Sequence, residues 1–154
     1  MLPFSKYMKR KINKKLINQR FAKSKMYSRV LKEAIGEKVC PLCHMRWHTN
    51  PILKRDNGWM ITENFQPYKN AQHHFVIISK KHRENFSELT SSDWQAIRNL
   101  AVWALRKFKI RGGGLAMRFG DTEHTGATVS HLHAHLIVPK IQNGKAKPVW
   151  FPFG

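Results

Sequence analysis

The stretch His131-Leu132-His133-Ala134-His135-Leu136-Ile137-Val138 alternates histidine with apolar residues and then continues as an apolar run. Period-two alternation predicts a half-buried β-strand whose every second side chain lies on one face. One strand therefore aims three imidazoles into the same space. Crowding titratable rings costs desolvation and, when they are charged, repulsion. Metal binding and nucleophilic phosphoryl-type transfer both fit such a cluster, whereas the simpler alternative is an edge strand with a wet, polar face.

Two further segments precede this strand in a fixed order. Gly126-Ala127-Thr128-Val129-Ser130 lies directly before it, and His74-Phe75-Val76-Ile77-Ile78-Ser79-Lys80-Lys81-His82 lies further upstream. Together the three segments resemble the histidine triad superfamily of nucleotide hydrolases and transferases, whose motif is His-φ-His-φ-His-φ-φ with φ apolar. The upstream strand resembles the family's Gly-His-x-Leu-Val-x-Pro-Lys-x-His, with His73 in place of Gly and Ser79 in place of Pro. The resemblance covers about residues 38–154.

The order of elements predicts an α+β fold with a mostly antiparallel sheet of about five strands and one main packed helix. Strands are predicted at residues 59–63, 74–79, 115–119, 130–138 and 147–151. The helix is predicted over residues 91–110, because Thr90-Ser91-Ser92-Asp93 has the form of a capping box. Its predicted core face carries Trp94, Ile97, Ala101, Ala104, Leu105 and Phe108.

The chain is strongly basic, with a net charge of +19 over 154 residues. Residues 1–38 hold twelve Lys or Arg against Glu33 and Glu37, which leaves +10 there and +9 in the remainder. We therefore expect a basic N-terminal extension over residues 1–37, helical or partly disordered, before a domain over residues 38–154. Such charge attracts polyanions, among them nucleotide phosphates, nucleic acid and ribosomal surfaces. A helix that orders on a partner and a solvated or frayed tail both remain open.

The apolar pattern argues against membranes and secretion. No apolar run approaches the length of a membrane span, and the basic N-terminus is not followed by the apolar stretch of a signal peptide. Two cysteines three positions apart cannot form a disulfide framework. We therefore expect a cytoplasmic protein without a membrane partner.

Cys40-Pro41-Leu42-Cys43 supplies two thiolates at a spacing that suits one zinc ion, and a structural site needs two more ligands. The resemblance to the zinc-containing branches of the superfamily, similar to galactose-1-phosphate uridylyltransferase, implies His82 and His131 as those ligands. It thus implies a structural Zn²⁺ rather than a catalytic one. A local set with His44 or His48 is sterically conceivable, and a thioredoxin-like redox motif is a weaker alternative.

The resemblance also implies the catalytic residues. His133 occupies the position of the nucleophile that attacks the α-phosphorus, His135 that of a donor to a phosphate oxygen, and His74 that of the family's fourth histidine. The implied substrate-binding residues are Asn64, Phe65, Thr128 and Ser130.

Two positions depart from the family pattern. Relatives often carry Gln where Ala127 stands, which leaves the contact to the leaving group in doubt. Arg118 stands near a position where relatives carry Asn, and it either pairs with phosphate or decorates the strand. The segment Lys69-Asn70-Ala71-Gln72-His73-His74 resembles the loop of bacterial diadenosine polyphosphate hydrolases or phosphorylases, which favours a dinucleoside polyphosphate-like substrate.

Two functions follow as hypotheses. The first is a nucleotide hydrolase or nucleotidyl transferase that works through a covalent nucleotidyl-histidine. The second is a nucleic-acid- or ribosome-associated protein that binds through its basic tail, with removal of nucleotidyl groups from nucleic-acid ends, as in aprataxin-like relatives, as a hybrid. The resemblance further implies a homodimer.

Overall fold

The computed structural model describes residues 16–154. The part of the predicted basic extension before residue 16 lies outside the described residues. The strands are β1 Ile52–Asp56, β2 Trp59–Glu63, β3 Ala71–Ser79, β4 Gly114–Met117, β5 His133–Pro139, β6 Ile141–Gln142 and β7 Lys145–Ala146. The α-helices are α1 Lys25–Gly36, α2 Ser91–Lys107 and α3 Thr122–Thr125, and short 3-10 turns lie at Gln19–Phe21 and Phe86–Glu88.

Five strands form one antiparallel sheet in the order β1-β2-β3-β5-β4. This arrangement, with α2 packed on one face, confirms the predicted α+β fold. The register of the central pair sets Val76 opposite His135 and Ile78 opposite His133. Because side chains of directly opposed residues lie on the same face, this register also brings His74, two residues before Val76, to the face of the histidines.

The other face of the sheet carries the main core. Phe75 and Ile77 of β3 and Ala134 and Leu136 of β5 pack there with the buried side of α2. The buried residues of α2 are Asp93, Ala96, Ile97, Leu100 and Ala104. The predicted face was therefore correct at Ile97 and Ala104 but wrong at Trp94, which is 43% exposed.

The predicted capping box at the start of α2 is confirmed. The Thr90 side chain accepts from the backbone N–H of Asp93, and the Asp93 carboxylate accepts from the backbone N–H of Thr90. The same carboxylate also accepts from the indole N–H of Trp59 at 3.0 Å and pairs with Arg83. These donors outweigh the burial of the carboxylate and hold the pKa of Asp93 well below its usual range.

The C-terminal region differs from the prediction. The strand expected at residues 147–151 is absent, and β6 and β7 instead form a small hairpin around Asn143 and Gly144. Pro148 has no N–H to donate to a ladder. The chain instead runs across the face of the histidines, where Arg118 donates to the carbonyl of Pro152 at 3.3 Å.

Residues 16–36 pack against the sheet domain rather than standing apart from it. Ile17, Leu31 and Ala34 share a buried cluster with Cys40 and Val129. Ile17 also forms an isolated antiparallel bridge with Val129. The helix of this segment ends at Gly36. Among the described residues, no helix has the length and apolar character that crossing a bilayer requires.

Candidate functional site

A cavity of about 450 Å³ opens on the sheet face opposite α2. Val76 and Ile78 form its floor, and His133 and His135 reach into it from the neighbouring strand. Its walls come from the segment before α1, from the loop after β2, and from the residues around Arg118 and Thr128. The register of β3 and β5 therefore determines which histidines meet in the cavity.

His133 has one ring nitrogen fixed and the other one free. Its Nδ1 lies 2.7 Å from the backbone carbonyl oxygen of His131. Because a carbonyl only accepts, Nδ1 carries the proton and the lone pair is on Nε2. Burial lowers the pKa of His133 to about 4, and the positive charge of Arg118 contributes in the same direction. The ring is thus neutral near pH 7, which is the form that acts as a nucleophile.

A chain of hydrogen bonds fixes the tautomer of His135. The backbone N–H of Tyr68 donates to His74 Nδ1 at 3.1 Å, so the proton of the neutral His74 ring is on Nε2. That Nε2–H faces His135 Nδ1 at 2.9 Å, which makes His135 Nδ1 the acceptor. His135 Nε2 then carries an N–H, and this buried atom has no partner among the described residues. An unpaired donor beside a nucleophile suits an incoming oxyanion.

Burial keeps these two rings neutral. It lowers the pKa of His74 to about 4, helped by the charge of Lys23, and lowers the pKa of His135 well below its usual value. For His135 the neighbouring rings His133 and His74 add to the effect of burial. A neutral His135 retains the single donor that the hydrogen-bond chain assigns to it.

Asn64 and Phe65 both line the cavity. The Asn64 carbonyl oxygen accepts from the backbone N–H of Gln66 at 3.0 Å, which is a local turn interaction. Its amide nitrogen lies 3.2 Å from His74 Nε2. The Phe65 ring meets Tyr27 edge-on, with 5.5 Å between the ring centroids. Asn64 and Phe65 therefore form one wall of the cavity.

The two hydroxyl residues before the triad differ. Thr128 lines the cavity and shares a 2.9 Å hydrogen bond with the hydroxyl of Tyr27. Ser130 does not line it: its hydroxyl donates to the carbonyl of Gly120 at 3.3 Å, and its backbone N–H donates to the carbonyl of Leu16 at 2.9 Å. Both donors of Ser130 are thus occupied by protein. From the sequence we expected Ser130 at the substrate site, but the structure does not bring it to the cavity.

A second cluster lies beside the cavity and consists of Cys40, Cys43, His82 and His131. One ligand atom from each lies within 4.8 Å of all the others. Sulfur-to-nitrogen distances are 3.4 Å for Cys40 with His131 and 3.4 Å for Cys43 with His82, and the two Nδ1 atoms are 3.2 Å apart. Tetrahedral zinc with ordinary bond lengths would separate these atom pairs by about 3.5 Å and about 3.3 Å. The four residues can therefore hold one ion.

The far side of each histidine ring in this cluster is also satisfied. His131 Nε2 donates to the carbonyl of Ser79 at 2.7 Å, and His82 Nε2 faces the carboxylate of Glu84 at 3.3 Å. Both bonds leave Nδ1 without a proton and turned towards the thiols. Such outer partners are typical of metal-ligating histidines.

The alternative ligands lie elsewhere. In the described part of the chain, neither His44 nor His48 belongs to a metal-compatible group. His48 Nδ1 lies 3.2 Å from the carbonyl of Asn50, and the ring meets Phe65 edge-on on the wall of the cavity.

The cavity also contains residues that the sequence did not single out. Phe21, Lys23, Ser24 and Tyr27 reach it from the predicted extension, and Tyr68 reaches it from the loop before β3. No pattern in the sequence pairs the extension with the triad. The only related feature of the sequence is the loosely helical spacing of apolar residues over 12–31, which is consistent with a helix but does not indicate where that helix packs.

Comparison with known proteins agrees with this architecture. Residues 37–148 match the family described as scavenger mRNA decapping enzyme C-term binding. An uncharacterized HIT-like protein of Mycoplasma genitalium is 35% identical over 77 residues, which is 49% of this chain and 54% of that protein. The match thus spans about half the length of this curated relative.

Solved structures share the fold. A HIT family hydrolase from Clostridium thermocellum is 26% identical, with a TM-score of 0.52 over 69% of this chain and 94% of that chain. A zinc-bound histidine triad family protein from Mycobacterium smegmatis is 19% identical, with a TM-score of 0.52 over 76% of this chain and 86% of that chain. Because the family match covers well over half of the chain and includes the triad strand, the chain belongs to this family and to the histidine triad superfamily.

Proposed function

We propose that the protein is a nucleotide hydrolase or nucleotidyl transferase that cleaves at the α-phosphate of a nucleotide. The observation that carries the proposal is the pairing of two histidines with complementary free nitrogens. His133 offers a lone pair on Nε2, whereas His135 offers an unpaired N–H on Nε2. A nucleophile beside a preformed donor is the arrangement that attack on a phosphate needs.

In the proposed reaction, His133 Nε2 attacks the α-phosphorus. The new N–P bond forms while the P–O bond to the leaving group breaks, and the leaving group departs with the electron pair. His135 donates to a non-bridging oxygen of the same phosphate, and His74 keeps it in the donor tautomer. The covalent nucleotidyl-histidine is then hydrolysed by water or passed to another acceptor. The resemblance of residues 69–74 to diadenosine polyphosphate enzymes supports a dinucleoside polyphosphate-like substrate.

Asn64, Phe65 and Thr128 are the proposed substrate contacts, because all three line the cavity. Phe65 offers an aromatic wall to a base, and Asn64 offers polar atoms to a ribose. Ser130 was expected to contribute as well, but its occupied hydroxyl and amide argue for a structural role.

We further propose that Cys40, Cys43, His82 and His131 bind a structural zinc ion. Two soft thiol groups and two imidazoles are the donor set that zinc prefers. Four protein ligands fill a tetrahedral shell, so the ion has no position for substrate or water. Its contribution is to fix the segment around residue 40 against the ends of β3 and β5.

Trapping of the covalent intermediate tests the reaction. The protein is mixed with dinucleoside polyphosphates or nucleoside phosphoramidates, quenched within milliseconds to seconds, and analysed by intact mass. We expect one added nucleotidyl group on the wild-type chain and none on His133→Ala. The added mass also identifies the nucleoside. An adduct of equal yield on His133→Ala, or no turnover of any nucleotide by the wild type, would overturn the proposal.

The net charge of +19 favours a second candidate, a nucleic-acid- or ribosome-associated protein. Deletion of residues 1–15 tests it, because this removes six Lys or Arg and keeps the segment that lines the cavity. If RNA affinity falls while nucleotide turnover persists, the tail is an accessory to the enzyme. If RNA binding is lost and no turnover exists, the binding function gains support. A cytoplasmic location and a homodimer stay predictions, the latter testable by light scattering.

A further inference from the structure

The cavity has an unusual charge balance. Lys23, Lys69 and Arg118 line it, whereas no Asp or Glu among the described residues does so. Lys69 is exposed on a loop, but Arg118 is half-buried. Burial lowers the pKa of Lys23, and the charge of Arg118 acts in the same direction. Two like charges at one cavity repel each other unless an anion lies between them. The part of the chain that the structure describes supplies no such anion there.

Among the described residues, Arg118 contacts only groups that are neutral near pH 7, one of them the Tyr68 side chain, with which it shares a hydrogen bond. Its Nη1 donates to the backbone carbonyls of Gly126 at 3.2 Å and Pro152 at 3.3 Å, and its Nε is buried without a partner among the described residues. No ion pair joins it to a carboxylate in that part of the chain. A partly buried guanidinium that lacks an opposite charge is costly. A bound polyanion would remove this cost.

Lys23 lies close to the histidines as well. Its ammonium group lies 4.0 Å from the centroid of the Tyr68 ring, and that ring stacks on His135 with 5.9 Å between centroids. The Arg118 guanidinium lies 5.0 Å from the centroid of Phe151, whose ring meets His135 edge-on at 5.0 Å. Each cation thus contacts an aromatic ring that packs on His135, and Arg118 also contacts the Tyr68 side chain, so both cations lie next to the place proposed for the first phosphate.

We propose that Arg118 and Lys23 form a subsite for a second phosphate group, so that the preferred ligand carries at least two linked phosphates. The inference rests on the proposed function, because the first phosphate is the one that His133 attacks. Lys23 lies outside the matched range of residues 37–148. The extension therefore contributes a specificity-determining cation to the triad cavity, in addition to any role of its tail.

Binding of matched nucleotides tests the subsite without requiring turnover. Calorimetry compares AMP with ADP and GMP with GDP on the wild type, Lys23→Met, Arg118→Gln and the control Lys25→Met. Lys25 is exposed on the same segment and does not line the cavity. We expect the wild type and Lys25→Met to bind a diphosphate about tenfold or more tightly than its monophosphate, as a charge-assisted contact predicts.

Each cavity variant should reduce this preference several-fold while it changes the affinity for the monophosphate by less than about threefold. An equal loss for both nucleotides, or no diphosphate preference in the wild type, would overturn the subsite. Arg118 also holds the C-terminal segment, so Arg118→Gln is interpreted only if its thermal unfolding matches the wild type. If it does not match, Lys23→Met carries the test. Lys23 is exposed, and among the described residues its ammonium group contacts the Tyr68 ring rather than a hydrogen-bond acceptor.

The outcome is separable from that of the trapping experiment. A diphosphate preference that depends on Lys23, together with no covalent adduct, would support the subsite and reject the reaction. An adduct on His133 without any diphosphate preference would do the reverse.

Discussion

His131 and His133 lie two residues apart, yet they belong to different sites. A single hydrogen bond to a backbone carbonyl holds each ring: His131 uses Nε2 to reach Ser79, and His133 uses Nδ1 to reach His131 itself. The free nitrogen is therefore Nδ1 in the Cys/His cluster and Nε2 in the cavity. The difference teaches that the carbonyl partner, rather than the residue type, decides which ring nitrogen a triad histidine leaves available.

The Cys/His cluster and the cavity also differ in how many of their polar atoms have partners. In the cluster all four ligand atoms face one another, and the outer nitrogens have partners of their own. In the cavity, His135 Nε2 has no hydrogen-bond partner and Arg118 has no carboxylate partner among residues 16–154. Hence we expect changes in the cluster to alter stability and changes in the cavity to alter activity.

The largest effect is expected for His133→Ala. Loss of a nucleophile should lower kcat/KM by at least about 10⁴-fold. Metal content and the free energy of unfolding should stay near the wild-type values, because the His133 ring faces the cavity and is not part of the Cys/His cluster. Activity assays, elemental analysis and urea unfolding measure the three quantities. His44→Ala, an exposed histidine outside both sites, is the matched control. A variant with activity within tenfold of the wild type would remove His133 from the mechanism.

The complementary change is His131→Ala or Cys40→Ser in the cluster. Each should release the metal and lower the free energy of unfolding by several kcal/mol, on the order of 3–5, because metal binding energy is folding energy. Chelation of the wild type should destabilise it in the same way. Protein purified without chelator should hold close to one zinc per chain. Less than about half a zinc, or a His131→Ala protein that keeps its metal, would contradict the assignment.

The sequence predicted the centre of the sheet well. Histidine and apolar residues alternate in β5, and β3 is an apolar run, so a shift of the pairing by one residue would move the buried side chains to the wrong face. It missed β1, because Lys54 and Arg55 interrupt any alternation on this edge strand. It also placed a strand at residues 147–151, where the backbone instead makes isolated hydrogen bonds, from the N–H of Lys147 to Lys140 and from the side chain of Asn70 to the carbonyl of Pro148.

The site was predictable only where a motif carries it. The triad, His74 and the Cys40/Cys43 pair lie in local patterns. The structure brings the triad histidines and the cysteines to the cavity or the Cys/His cluster, and it places His74 behind His135 as its hydrogen-bond partner. Lys23 and Tyr27 could not be predicted, because their position depends on how α1 docks on Val129 and Thr128 rather than on any spacing. Arg118 departs from the family pattern in the sequence, but only the structure shows that no carboxylate in its described part pairs with this residue.

A smaller effect is expected for His74→Ala. The change removes the donor to His135 Nδ1, so that His135 is free to adopt the tautomer without an N–H in the cavity. We expect kcat/KM to fall about 10- to 100-fold, as for other partners that orient a functional histidine. His74→Gln should recover part of the loss, because its amide offers an N–H at a similar distance. His73→Ala is the control, since His73 packs on Phe75 instead. Equal activity of His74→Ala and the wild type would contradict the proposal that His74 holds His135 in the donor tautomer.

The smallest expected effect is on the pH dependence of stability. Burial holds the pKa of His74 at about 4 in the folded protein, below the value of about 6.5 in an unfolded chain. The unfolded state therefore binds a proton as the pH falls below 6.5, while the folded state does not, so the contribution of His74 to stability is lost over this range.

Between pH 7.5 and 5.5 this contribution should fall by about 1 kcal/mol. His74→Gln lacks the titrating group, so its free energy of unfolding in urea should fall by about 1 kcal/mol less than that of the wild type over the same interval. Acid release of the metal affects both proteins equally and cancels in the difference. Parallel pH profiles for the two proteins would show that His74 is not held neutral. The assignment of the His135 tautomer, which depends on a neutral His74, would then lose its basis.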